Sequence, residues 1–137
     1  MLNRCAVVVR KRQPFLDWLL QLPDPVDTNT TLEQLNDDPH VYLLPELVYM
    51  SEQEALIAEF CETLFERELE GWWRTPDDWP RARDQNMFKN WFDVEFHSCI
   101  DDLEAFPLVD DRDEHASGFS PLGCFLYPLT KLFQFGR

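Results

Sequence analysis

Between Ser51 and Gly71, apolar residues recur at every third or fourth position: Leu56, Ile57, Phe60, Cys61, Leu64, Phe65 and Leu69. That period matches the 3.6-residue turn of an α-helix and places all seven on one stripe. Ser51 and Glu54 stand three apart, as a capping box requires, and Gly71 closes the segment. The spacing predicts a helix over 52–70. Such a stripe must be buried against a second apolar layer. Cys5-Ala-Val-Val-Val9 is short and β-branched, which reads as a buried strand able to supply that layer.

The remaining elements follow from local punctuation. Gln13-Pro14 opens a helix with proline in its first turn; Phe15, Trp18, Leu19 and Leu22 form its apolar face, and Pro23 and Pro25 end it. A short helix is expected over 31–36, with Thr30 as cap and Glu33 three residues on. His40-Val-Tyr-Leu-Leu44, between Pro39 and Pro45, is the second strand. Asp84 caps a further helix bearing Met87, Phe88, Trp91, Phe92, Phe96, Cys99, Ile100 and Leu103 on one side. Val94, Phe96, Ser98 and Ile100 also alternate as a strand would, and length decides for the helix. Phe106-Pro-Leu-Val109 is a third strand. The expected fold is therefore one compact α+β domain over 1–115, with a sheet of about three strands (5–9, 41–44 and 106–109) covered by three or four helices. With 45% hydrophobic and 14% aromatic residues, such a core can be filled without disulfides.

An apolar extension, 116–137, follows. It contains no acid, but Pro121, Gly123, Pro128, Lys131 and Gln134 interrupt it. A membrane span needs about 20 mostly apolar residues, so no membrane role is expected. The N-terminal apolar run is too short for a secretory signal. The four cysteines form no close pair, and Cys5, Cys61 and Cys99 fall on apolar faces, as reduced core residues do. A cytoplasmic location is the expectation.

Charge bounds the partners. The chain holds 26 acids and 12 Lys or Arg, a formal charge of −14. From Phe15 to Glu66 there are 12 acids and no Lys or Arg. Such a surface repels phosphate, so direct nucleic-acid binding is not expected, and it repels anionic lipid. A basic protein is the electrostatic complement, including one whose nucleic-acid site the acids would occupy by charge mimicry. Plain solubility explains acidity equally well.

Motifs for chemistry are few. Four scattered glycines make no phosphate cradle, no Gly-x-Ser-x-Gly surrounds Ser51 or Ser98, and no cofactor motif is present. Asp93, His97 and Asp101 stand at i, i+4 and i+8, so a helix would align them as a ladder able to offer a metal two kinds of ligand; a solvated polar face has the same pattern. Glu59, Glu62, Glu66 and Glu70 repeat along the outer side of the 52–70 helix and read as its solvated face. Seven large rings, Trp72, Trp73, Trp79, Phe88, Trp91, Phe92 and Phe96, fall within 25 residues beside Arg74, Arg81 and Arg83. Exposed tryptophan beside arginine is the chemistry of binding hot spots, which makes Trp72, Trp73, Arg74, Trp79 and Arg83 the candidate binding set. A tryptophan-rich core with arginines stacked on its rings is the alternative.

Val7-Val-Val-Arg10, then Lys11-Arg-Gln-Pro-Phe-Leu-Asp-Trp18, then Val41-Tyr-Leu-Leu-Pro-Glu46 resembles a family of short, acidic, uncharacterised bacterial proteins. Trp72, Trp79-Pro80, Arg83, Phe88, Trp91-Phe92, His97-Ser98 and Leu108-Val-Asp-Asp111 extend the resemblance over about residues 3–111. It implies a shared fold and a bacterial origin, and no activity; the extension from Ala116 departs from the pattern. The leading expectation is a non-enzymatic acidic interaction module binding a basic protein partner. The alternative is a metal-dependent enzyme or metal-binding protein using Asp93, His97 and Asp101.

Overall fold

The structure, a computed structural model, describes residues 1–111. In chain order its elements are β1 (Arg4–Lys11), α1 (Gln13–Leu20), α2 (Leu32–Leu35), β2 (His40–Pro45), α3 (Gln53–Glu70), α4 (Gln85–Trp91) and β3 (Phe92–His97). Single 3-10 turns at Met50–Glu52 and Pro76–Asp78 lead into α3 and follow it. The three strands form one antiparallel sheet in the order β2-β1-β3. The α+β architecture with a small three-stranded sheet is thus as expected.

Period-2 alternation sorts the sheet into two faces. Cys5, Val7, Val9 and Lys11 of β1 are buried. Their cross-strand partners Leu44, Tyr42 and His40 on β2, and Phe96, Val94 and Phe92 on β3, share that face. The stripe of α3 meets it through Ile57, Cys61, Leu64, Phe65 and Leu69. The opposite face carries Ala6, Val8 and Arg10 with Val41, Leu43, Glu95 and His97, and there Val41 and Leu43 remain about half exposed.

Several expectations need correction. The third strand is not 106–109 but Phe92–His97, and the helix starting at Asp84 stops at Trp91 rather than near Leu103. Phe92, Val94 and Phe96 alternate with Asp93, Glu95 and His97, so a strand buries one set and exposes the other. That strand also satisfies the backbone of β1 from Ala6 to Lys11, a gain no isolated helix face offers. Residues 106–109 lie outside the core: Leu103, Phe106, Leu108 and Val109 are all largely exposed. Cys99 is exposed rather than a core residue. The α2 cap is Thr31, whose hydroxyl accepts the Gln34 N–H at 3.2 Å while Gln34 Oε1 accepts the Thr31 N–H at 3.0 Å; the box sits one residue later than expected. Ser51 does not cap α3. Instead Glu52 accepts the N–H groups of Val48 and Tyr49. The extension 116–137 and Cys124 lie outside the described residues.

Two expectations of local chemistry hold. Pro14 occupies the first turn of α1, and Asp84 Oδ1 accepts the Met87 N–H at 2.9 Å. Replacing Asp84 with alanine should leave that N–H without its cap and cost about 1 kcal/mol, read as a lower urea midpoint at unchanged slope; an unchanged midpoint would show that solvent caps α4 equally well.

Candidate functional site

The tryptophan loop after α3 closes on itself. The N–H groups of Trp72 and Trp73 both donate to the Leu69 carbonyl, at 3.0 and 2.8 Å. Trp73 Nε1 donates to Asp78 Oδ2 at 2.9 Å, and Trp79 Nε1 to the Trp73 carbonyl at 2.7 Å. Trp18 Nε1 reaches across from α1 to the Asp78 carbonyl at 2.9 Å. All three loop tryptophans are half-buried against the core. Arg83 donates through Nη1 to the Pro80 carbonyl at 2.7 Å and pairs through Nη2 with Glu66 at 3.1 Å. Of the candidate binding set, the side chains of Trp73, Trp79 and Arg83 are thus anchored, Trp72 is half-buried, and Arg74 alone is exposed.

Closing the loop leaves a recess of about 360 Å³ beside it. Trp18 from α1, Trp79 from the loop and Trp91 from α4 line it, with Asp17 and Asp78. The Trp18 and Trp91 rings stand 6.4 Å apart, tilted by 50°. Trp18 also packs edge-on against buried Phe15 at 5.3 Å. Trp18 and Trp91 are far apart in sequence, so this grouping appears only once α1 and α4 lie side by side.

A second cluster was not foreseen at all. Lys11 and Glu68 are 7% and 3% exposed, and Lys11 Nζ meets Glu68 Oε1 at 3.0 Å. The other carboxylate oxygen accepts from the Tyr42 hydroxyl and bonds His40 Nδ1 at 2.9 Å. The His40 and Tyr42 rings stack at 4.1 Å. Lys11 Nζ further lies 5.3 Å from the Phe15 ring centroid and 5.9 Å from that of Trp72, within reach of a cation–π contact. Burial alone would push the Glu68 carboxyl up, but bonds from His40 and Tyr42 and the Lys11 charge reverse this and hold it at about 2. Burial and the Glu68 charge push the Tyr42 hydroxyl well above its ordinary value. The cluster is therefore a buried carboxylate paired with Lys11 and bonded by His40 and Tyr42. Asn36 braces it, accepting the Lys11 N–H at 2.7 Å and donating to the Lys11 carbonyl at 2.8 Å, where the β1–β2 ladder has ended.

Through Nδ1, Glu68 fixes the orientation of a half-exposed imidazole, which is how a general base is commonly held. Yet neither the tryptophan recess nor a second one of about 320 Å³, between α3, α4 and β3, includes His40, Tyr42, Glu68 or Lys11. Through this cluster Glu68 of α3 ties Lys11 of β1 to His40 and Tyr42 of β2.

The ladder of Asp93, His97 and Asp101 is not formed, because its helix does not exist. On β3 the first two share a face, but four residues of strand separate them by about 13 Å. Glu95 sits between them, paired with Arg10 at 2.7 Å and bonded to His97; Arg10, then His97, hold its carboxyl below the usual range. Asp101 pairs with the Met1 amino group at 2.8 Å. Among the described residues, no group of three His, Cys, Asp or Glu is gathered that could hold a metal ion.

No family model, curated protein or solved structure matches this chain.

The acids of the base-free stretch are displayed outward. Of the twelve between Phe15 and Glu66, eleven are exposed, and Glu66 is half-buried in its pair with Arg83. Of the nine Lys and Arg among the described residues, Arg10 pairs with Glu95, Lys11 with Glu68, Arg83 with Glu66 and Lys89 with Glu54. Among the described residues no helix is long and apolar enough to cross a membrane.

Proposed function

We propose that this protein is a non-enzymatic interaction module whose acidic surface docks a basic protein partner. The observation that carries this reading is the display of eleven exposed carboxylates over a stretch with no Lys or Arg of its own. A field of one sign accelerates encounter with an oppositely charged surface and rejects like-charged ones, nucleic acid and anionic lipid included. The tie of Lys11, Glu68, His40 and Tyr42 holds the sheet and α3 together.

The reading is tested with two exposed residues on the outer side of α3. Immobilised full-length protein should retain a basic protein from lysate of its source at low salt and release it as salt rises. The double change Glu59→Lys and Glu62→Lys should slow association by about tenfold. Retention indifferent both to salt and to these reversals would overturn the proposal.

A further inference from the structure

The tryptophan recess has a chemistry that narrows the partner further. Three tryptophans line one shallow space, and Asp17 and Asp78 line it with them. The N–H groups of Trp18 and Trp79 already donate to backbone carbonyls. What these two rings still present is therefore apolar area and the negative π-cloud, which attracts cations. Asp17 Oδ1 accepts one bond from Gln13 at 2.9 Å, and Asp78 Oδ2 accepts one from Trp73. A carboxylate has about four acceptor sites, so both retain capacity toward a further donor. No lysine or arginine lines the recess among the described residues.

A neutral apolar ligand would use the rings and waste the acids; an anion would be repelled by both. A guanidinium uses both: its plane stacks on aromatic rings, its fork matches carboxylates, and it is weakly hydrated. The recess volume, about 360 Å³, lies at the small end of ligand clefts, which suits one side chain with adjoining backbone. It is also held in shape beforehand. Asp78 ties Trp18 through its carbonyl and Trp73 through its carboxylate, so α1 and the loop are fixed at one point, and little ordering is left to oppose binding.

We propose that the recess formed by Trp18, Trp79, Trp91, Asp17 and Asp78 receives an arginine side chain of the basic partner. This rests on the acidic-interface reading and assigns its anchor point.

The test uses the full-length protein labelled at its indole nitrogens and titrated with a blocked, alanine-flanked arginine peptide. The same peptide with citrulline in place of arginine is the control, since citrulline keeps the shape and loses the charge. The indole signals of Trp18, Trp79 and Trp91 should move together and saturate, with smaller movement at Trp72 and Trp73. Asp17→Asn should weaken the arginine peptide about threefold, and Asp17→Lys about tenfold; Asp17 is exposed on α1, so neither change should disturb the fold. Equal binding of the citrulline peptide would overturn the proposal by showing an apolar recess. Shifts spread over the acidic surface without the three indoles would also overturn it, while leaving the acidic-interface reading intact. That reading fails separately, if capture is indifferent to salt and to the reversals at Glu59 and Glu62.

Discussion

Replacing Glu68 with glutamine should destabilise the protein by about 3–5 kcal/mol, the cost of stripping one partner from a buried charge pair. Lys11 would be left charged at 7% exposure, with only a neutral amide where Oε1 stood 3.0 Å away. Equilibrium urea unfolding measures this directly. If the loss were under about 1 kcal/mol, water would have to be reaching Lys11. The double replacement Lys11→Met with Glu68→Leu should recover part of the loss, because no charge is left buried, while the Tyr42 hydroxyl still loses its acceptor. The same cluster sets an acid response. The Glu68 carboxyl titrates at about 2 in the fold against an ordinary 4.5, so the folded state binds its proton less readily than the unfolded chain does. Its contribution is complete above about pH 4.5 and disappears as pH falls toward 2, amounting to about 3 kcal/mol over that window. Wild-type stability should fall by that amount across the window, and the glutamine variant should lack this component.

Phe65→Ala should cost about 3–5 kcal/mol, the range for deleting a buried ring. Phe65 is fully buried and its ring centroid stands 5.2 Å from that of Trp91 and 5.1 Å from that of Phe92. It therefore joins α3 to the end of α4 and the start of β3 at one point, and the cavity would loosen all three. Phe65→Leu should cost less, since part of the volume is kept. Leu103→Ala is the control: at 96% exposure it should change stability by no more than about 0.5 kcal/mol. A large loss at Leu103 would mean that the segment after β3 packs on the domain.

How much of this was legible before the structure depends on which force decided each element. The α3 stripe and the Val7–Val9 run were legible because burial alone set them, and period reports burial. The Asp84 cap was legible because one side chain and one N–H are local partners. The 92–97 strand was not, since Trp91, Phe92 and Phe96 fit either period, and only pairing with β1 separates them. The Lys11–Glu68 tie carried a signal that went unread. Lys11 continues the alternation of Cys5, Val7 and Val9, while Glu68 follows Leu64 by four on the α3 stripe. A base and an acid each standing where an apolar residue is due are a pair waiting to be matched. The tryptophan recess had no such signal, because Trp18 and Trp91 meet only through the packing of α1 on α4.

The flanks of β2 carry a consequence for how the molecule behaves at high concentration. β2 is an outer strand, and Val41 and Leu43 keep about half their surface in water. Outer strands of that kind template fibres when another chain can continue their ladder. Here Pro39 and Pro45 bracket the strand, one just before it and one at its last residue; neither can donate a ladder bond, so the edge open to a docking strand is short. Two copies carrying −14 each also repel before they meet. Growth of a cross-β seed from this edge is therefore opposed both by the short run between two prolines and by charge.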